Sequence, residues 1–258
     1  MQRSADDLPD KLCSNEVTLM QIKLARYSAI GSRTENEDSF ACEQTGPEQM
    51  YAVVCDGLGS HGGGQEASRI AVEQLRQLHL TQLPSAEKIR SWMEQSNQEI
   101  LRRRNGPRHM KTTAVALFVD QGRAIWAHIG DSRLYHFHNG RLADATADHS
   151  VCYLAVRMGE ITRRDIPDHP DRNKLLKVLG EESISPEIHE AVALEPGEHA
   201  FLLCSDGLWE RLHEDEILLD LHKSATPEQW LFELRCRAEL RKHTEVDNNT
   251  AVAAFITV

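Results

Sequence analysis

The sequence predicts an α+β fold in which mostly antiparallel sheets are layered against blocks of helix. Three observations point there. Short runs rich in Val, Ile, Phe and Tyr recur along the chain. Two of their connections carry Gln121-Gly122 and Asn139-Gly140, turn signals of antiparallel hairpins. Helical periodicity comes in long blocks between groups of strands, not after every strand, which disfavours a Rossmann or phosphate-loop fold.

The elements follow in chain order. "MQRSADDLPDKLCSNEVTLM" holds four acids and no continuous apolar stretch, so residues 1–17 read as a flexible extension, with neither a signal peptide nor an anchor. "LMQIKLARYSAI", "DSFACEQ" and "MYAVVCD" read as strands. Ala67, Ile70, Ala71, Leu75 and Leu78 share one helical face, and Ile89, Trp92, Met93, Ile100 and Leu101 share another. "TTAVALFVD", "RAIWAHIGD", "RLYHFH" and "HAFLLCSD" are the next strands. "TPEQW" opens a third helix: Thr226 caps it, Pro227 suits its first turn, and Gln229 completes a capping box. Trp230, Leu231, Leu234 and Ala238 form its buried stripe, and "NTAVAAFITV" is the closing strand. Without an internal repeat or a Pro/Ser-rich linker, residues 18–258 read as one domain.

Charge and cysteine usage narrow the function. The 258 residues hold 29 Lys plus Arg against 40 Asp plus Glu, a net charge of -11, so the surface repels polyanions and nucleic acid is excluded as a partner. The six cysteines form no CxxC pair and several sit in apolar runs, as expected in a reduced, cytoplasmic compartment. No later stretch is long enough to span a bilayer.

The chemistry concentrates at strand ends. Asp56 closes "AVVCD" ahead of Gly57-Leu58, and Asp206 closes "FLLCSD" ahead of Gly207-Leu208. Asp131 closes "IWAHIGD", Asp38 opens "DSFACEQ", and Asp247 precedes the last strand. One Asp-Gly is only a turn, but acids repeated at strand termini can converge at one edge of a layered structure. Carboxylates without a Cys or His cluster select Mg²⁺ or Mn²⁺ over zinc. Two such ions activate a water and stabilise displacement at phosphorus. The glycines after Asp56 are not a phosphate loop, because no lysine follows at the required spacing.

The ordered pieces "GSRTENEDSF", "VCDGLGSHGGGQEAS", "KTTAVALFV", "HIGDSRLY", "TADHSV", "HPDRNKLLKVLG", "LLCSDGLWE" and "DNNTAVAAF" cover about residues 22 to 258. Through them the chain resembles the metal-dependent type-2C (PPM family) serine/threonine protein phosphatases in their compact bacterial form. The resemblance implies a four-layer α-β-β-α sandwich of two mostly antiparallel sheets flanked by antiparallel helix pairs. It implies that Asp56 bridges two Mn²⁺ or Mg²⁺ ions, that the Gly57 carbonyl and Asp38, Asp206 and Asp247 complete their shells, and that Glu37 orients from behind. Asp131 would help bind a third ion, Arg33 would hold the substrate phosphate, and residues 151–170 would form a flap. It further implies hydrolysis of phosphoserine and phosphothreonine monoesters by a metal-activated water, phosphorylated proteins as partners, a cognate bacterial Ser/Thr kinase, secretion-system control as one setting, and a monomer. The rival expectation is a catalytically weak signalling protein that binds phosphoproteins on the same fold.

Departures from the family pattern are Leu58 where animal and plant relatives carry a histidine general acid, Ser60 for glycine, the acid at Gln65-Glu66 shifted by one position, and Lys111 before the two threonines. None removes an expected ligand. Other features have bland readings: His61 supports the glycine loop, His149 is a structural hydrogen-bonding residue, and His136 with His138 lacks the partners of a zinc site. "RRRNGPRHMK" is a solvated helix end, and Ser205 has no nucleophile elbow.

Overall fold

The computed structural model describes residues 20–59, 63–78, 80–104, 109–241 and 245–258. The expected extension, residues 1–17, lies outside them, as do Ser60 and His61.

The chain enters through β1 (Gln21–Ala29), β2 (Ser39–Gly46), β3 (Gln49–Cys55) and the short β4 (Gly57–Gly59). Helices α1 (Gly63–Arg76) and α2 (Ala86–Arg103) follow, then strands β5 (Met110–Thr112), β6 (Ala114–Asp120), β7 (Arg123–Ile129), β8 (Arg133–His138) and β9 (Arg141–Ala145). Next come α3 (Val151–Met158), a 3-10 helix (Arg163–Asp168), β10 (Glu187–Ile188), β11 (Val192–Ala193) and β12 (Glu198–Cys204). The chain closes with α4 (Asp206–Trp209), α5 (Glu214–Lys223), α6 (Pro227–Leu240) and β13 (Asn249–Thr257).

Two antiparallel sheets carry the fold. One has the order β1-β13-β12-β8-β9; the other runs β10-β7-β6-β3-β2, with β11 also pairing β7. Both expected hairpin turns are present, with Gln121 and Asn139 at positive φ before glycines that are also at positive φ. Strands buried on both faces read as continuous apolar runs, because each face meets a layer. Along β3, Ala52 and Val54 face the other sheet, packing in one core with Leu117, Trp126, Phe201 and Val252. Tyr51, Val53 and Cys55 face outward, against Ala67, Ile70, Ile89 and Trp92 of α1 and α2. On the far side Tyr135, Leu202 and Ala253 meet Ile217, Trp230 and Leu234 of α5 and α6. The result is the four-layer α-β-β-α sandwich.

Local rules explain most helix ends. The Thr226 hydroxyl accepts from Gln229 N at 3.2 Å, and Pro227 occupies the first turn. The Gln229 side chain accepts from Ala225 N, one residue earlier than a capping box requires. Helix α5 was not expected from periodicity, because its stripe is diluted by acids. Its signals are end signals: a capping box between His213 and Glu216, acids in the first turn and His222-Lys223 in the last. Leu78 falls beyond the end of α1.

Histidines line one flank of the sandwich. His149 stacks on His128 (ring centroids 4.6 Å apart), His128 meets His189, and His189 stacks on Trp126 (5.2 Å). Trp126 meets His136, which stacks on His199, which stacks on His138 at 4.4 Å. Burial, with help from neighbouring His199 and His138, pushes His136 down to about 4. Burial beside His128 does the same to His149, and burial lowers His128 and His199 too. An imidazole held neutral in the fold takes up its proton only on unfolding, so its contribution is present above about pH 6.5 and is lost as pH falls toward the folded value. Urea midpoints from about pH 7 to about pH 5 are expected to fall less steeply in His136→Phe than in the wild type. Equal slopes would refute the assignment.

Candidate metal centre

Each expected acid sits where a strand enters or leaves a sheet, and these points share one end of the sandwich. Asp56 lies between β3 and β4, Asp38 immediately before β2, Asp131 two residues after β7, Asp206 at the start of α4, and Asp247 two residues before β13. A cavity of about 530 Å³ is lined by Asp56, Asp131, Asp206, Asp247, Glu37, Gly57 and Arg33. Asp38 is buried beside it and accepts a 2.8 Å hydrogen bond from the Ser205 hydroxyl through Oδ2. The sequence-predicted site residues are therefore brought together.

The electrostatics are those of acids without enough counter-charge. Burial raises Asp38 to about 7, and Asp206 and Asp247 add to the shift. Burial pushes Asp56 well up, followed by the charges of Asp206, Asp38 and Asp131. Asp131 and Asp206 are also raised, first by burial. Glu37 is raised by burial against hydrogen bonds from the backbone N–H groups of Gln65 and Gly64 at the start of α1. Arg33 is the only Lys or Arg among the described lining residues. Its fork lies on Asp247, Nε to Oδ1 at 2.9 Å and Nη2 to Oδ2 at 2.7 Å, not on open cavity. Asp38 Oδ1 is buried with no hydrogen-bond partner among the described residues. An orphaned carboxylate oxygen beside a cavity lined by carboxylates, two of the five acids buried and the others partly so, fits a hard divalent cation.

Backbone and hydroxyl braces hold the acids. Asp56 N donates to Thr113 Oγ1 (3.0 Å), and Asp56 O accepts from Thr113 N and from Thr112 Oγ1 (both 2.9 Å). Thr113 Oγ1 meets Ser132 Oγ at 2.7 Å, tying the Asp56 turn to the Asp131 loop. Asn248 clamps the first loop to the last strand: its Oδ1 accepts from Glu37 N, and its Nδ2 donates to Ile30 O and Glu35 O. Beneath Asp131, the buried Arg133 makes a bidentate pair with Asp148 at 2.8 and 2.6 Å and lies 3.4 Å over the Trp209 ring. The Trp209 indole N–H donates to Asp131 O.

The similarity to known proteins agrees. A family model described as "Protein phosphatase 2C" matches residues 26–242. The chain belongs to the protein phosphatase 2C family. Similar relatives include the serine/threonine phosphatase stp of Listeria monocytogenes, 34% identical over 197 residues (72% of this chain, 77% of the relative). Protein phosphatase PhpP of Streptococcus pneumoniae is 32% identical over 193 residues, covering 72% and 78% of the two chains. Among solved structures, the Mycobacterium tuberculosis phosphatase PstP/Ppp superposes with a TM-score of 0.77 at 27% identity, over 90% of this chain and 97% of that one. PppA, described as a key regulatory component of T6SS in Pseudomonas aeruginosa, gives 0.73 at 28%, over 90% and 96%. The PstP catalytic domain in complex with two manganese ions shares the fold at a TM-score of 0.78 and 24% identity, over 93% and 100%.

This protein phosphatase 2C is thus a protein serine/threonine phosphatase whose substrates are phosphorylated proteins. Among its described residues no helix is long and apolar enough to cross a membrane. The expected flap contains α3 and the 3-10 helix, held to α5 by Arg163–Glu214 (3.1 Å) and Arg164–Asp215 (3.1 Å). Sequence reasoning passed over Thr113, Ser132, Asn248 and the Arg133–Asp148 pair. The two threonines beside Lys111 were the one local sign of the first brace.

A further group of donors, His128, His149 and Glu187, lies within 4.8 Å. The two rings are stacked and parallel, within 4°, so one ion cannot lie in both ring planes. His149 Nδ1 accepts from Gly130 N, which leaves the proton of the neutral ring on Nε2. His149 thus supports the Gly130 backbone, while His136 bonds His199.

The glycine after Asp56 has a packing reason. A Cβ on Gly57 would stand 2.3 Å from Gly64 O and 2.5 Å from Glu37 O. Gly57→Ala must push α1 away from the Glu37 loop, and it is expected to lower the melting temperature and cut turnover at least about tenfold. Wild-type thermal stability and turnover in that variant would contradict the packing.

Proposed function

We propose that this phosphatase hydrolyses phosphoserine and phosphothreonine monoesters with divalent manganese or magnesium held by Asp38, Asp56, the Gly57 carbonyl, Asp206 and Asp247, and a third ion near Asp131. The observation that carries the reading is the convergence of acids on one cavity, with Asp56, Asp131 and Asp206 raised in pKa and, beside it, Asp38 raised and with an oxygen unpartnered among the described residues. The same fold holds two manganese ions in the PstP catalytic domain. Bound there, the ions supply Lewis-acid activation of water and offset charge developing at phosphorus.

The remaining roles belong to this chain's side chains. Arg33 offers a planar fork to two phosphate oxygens. Its pair with Asp247 is half exposed on both sides, and such pairs are worth about 0–1 kcal/mol, so exchanging the carboxylate for phosphate costs little. Glu37, anchored on the N-terminus of α1, accepts from water at the rim. Leu58 has no proton to give, so the leaving alkoxide is protonated from elsewhere than that position. Residues 18–258 form the catalytic domain, with 151–170 as a flap beside the cavity.

The setting we infer is cytoplasmic reversal of a Ser/Thr kinase by a monomeric enzyme, and the similarity to PppA supports secretion control as one such setting. The test is hydrolysis of a phosphothreonine peptide with Mn²⁺, with a chelator, and by Asp206→Asn. Turnover is expected only in the first, and Arg33→Ala is expected to raise KM at least about tenfold. Equal rates in the first three would end the proposal.

A further inference from the structure

Beside the metal centre lies a second cavity, of about 670 Å³, which shares Arg33, Asn173, Asp206 and Asp247 with it. Four of its five guanidinium groups already have carboxylates: Arg33 holds Asp247, Arg172 meets Glu210 at 3.5 Å, Arg164 meets Asp215 at 3.1 Å, and Arg241 meets Glu216 at 2.5 Å. Arg211 is the exception. It is only 7% exposed, it lines this cavity, and among the described residues its side chain makes no hydrogen bond or ion pair.

Its position is set from both sides of the chain. Arg211 N donates to Leu208 O at 3.2 Å, and Arg211 O accepts from Arg241 Nη1 at 2.6 Å. The Arg211 backbone is therefore tied to α4, which begins with Asp206, and to the residue that follows α6. Its side-chain nitrogens are not sealed from solvent, so the donors face the cavity unclaimed. An incoming oxyanion can accept from this fork.

We propose that Arg211 is a specificity residue, receiving a second oxyanion of the substrate protein, a carboxylate or a second phosphate near the phosphorylated residue, while that residue's phosphate meets Arg33. This rests on the reading of the adjoining cavity as the reaction centre. The enzyme then selects phosphoproteins whose modified residue lies in an acidic or multiply phosphorylated stretch. The wall also carries Asp168, Asp206, Glu210, Glu245 and Asp247, and its other arginines are paired, so the preference rests on Arg211 itself. The flap residue Arg164 and its neighbour Arg172 line the same wall, so flap position and acidic preference are coupled.

The experiment compares three phosphothreonine peptides with Mn²⁺: one with neutral neighbours, one with Glu neighbours, and one with a second phosphothreonine. For each enzyme the reading is the ratio of kcat/KM on an acidic peptide to that on the neutral one, which is insensitive to the fraction folded. The wild type is expected to favour at least one acidic peptide about tenfold, through KM, and Arg211→Met to bring that ratio near one. The peptide whose advantage disappears identifies carboxylate or phosphate as the ligand. Wild-type indifference to acidic neighbours, or an unchanged ratio in Arg211→Met, overturns the proposal. Should Arg211→Met fail to fold, Arg211→Gln and the wild-type ratio alone decide it. No Mn²⁺-dependent turnover of any peptide would instead overturn the reading of the reaction centre, and this proposal with it.

Discussion

Replacing Asp56 with Asn is expected to lower kcat/KM on a phosphothreonine peptide at least about a thousandfold while making the metal-free protein more stable. The two effects have one origin. Asp56 is partly buried among Asp206, Asp38 and Asp131, and without cations the folded protein binds protons there that the unfolded chain does not hold at neutral pH. A carboxyl whose folded pKa is raised contributes stability that is present below the unfolded value, about 4, and is lost as pH rises through the folded value. At about pH 7 the metal-free enzyme therefore carries a penalty that the amide removes. Relief of that penalty appears as a rise in melting temperature. Saturating Mn²⁺ should stabilise the wild type by about 2.7 kcal/mol at a hundred times Kd, and the variant much less. Thermal melts with and without Mn²⁺ check this, and a metal-free variant less stable than wild type would show that Asp56 is not held by unfavourable charge.

Asp148→Ala is expected to destabilise the fold by about 3–5 kcal/mol, lowering the melting temperature by about 10 °C, because it leaves Arg133 charged and buried. Arg133 and Asp148 are each close to fully buried, and the Arg133 guanidinium also contacts Tyr135 and Trp209. Removing one partner is far worse than removing both. The double variant Arg133→Met/Asp148→Leu is expected to recover most of the loss, since apolar residues of similar size need no solvation. A single variant within about 1 kcal/mol of wild type would refute the coupling. Activity provides the second reading, because the pair underlies the Asp131 loop and Trp209 donates to Asp131 O.

Much of this was legible along the chain because it is written in short periods. Apolar runs such as "AVVC" and "TAVAAF" mark strands covered on both faces, and the stripes of α1, α2 and α6 mark the outer layers. Helix α5 was harder, since six of its ten residues are charged or histidine and only its end signals stand out. The carboxylates could be found because each stands at a strand terminus: Asp56, Asp131 and Asp206 just after a strand, Asp38 and Asp247 just before one.

By itself, then, the sequence determined the layered α+β class, the strand-end acids, the hard-cation chemistry they favour and the family. Only the tertiary structure decided which groups complete one another. Ser205 reaches Asp38 across 167 residues, Asn248 reaches Glu37 across 211, and Arg33 reaches Asp247 across 214. Among the described residues it also decided which groups are left without a partner, Asp38 Oδ1 beside one cavity and the Arg211 side chain at the next. The physical reason is range. Periodicity and capping act over a few residues and leave a local trace, whereas burial and pairing depend on which distant strands the sheets bring side by side.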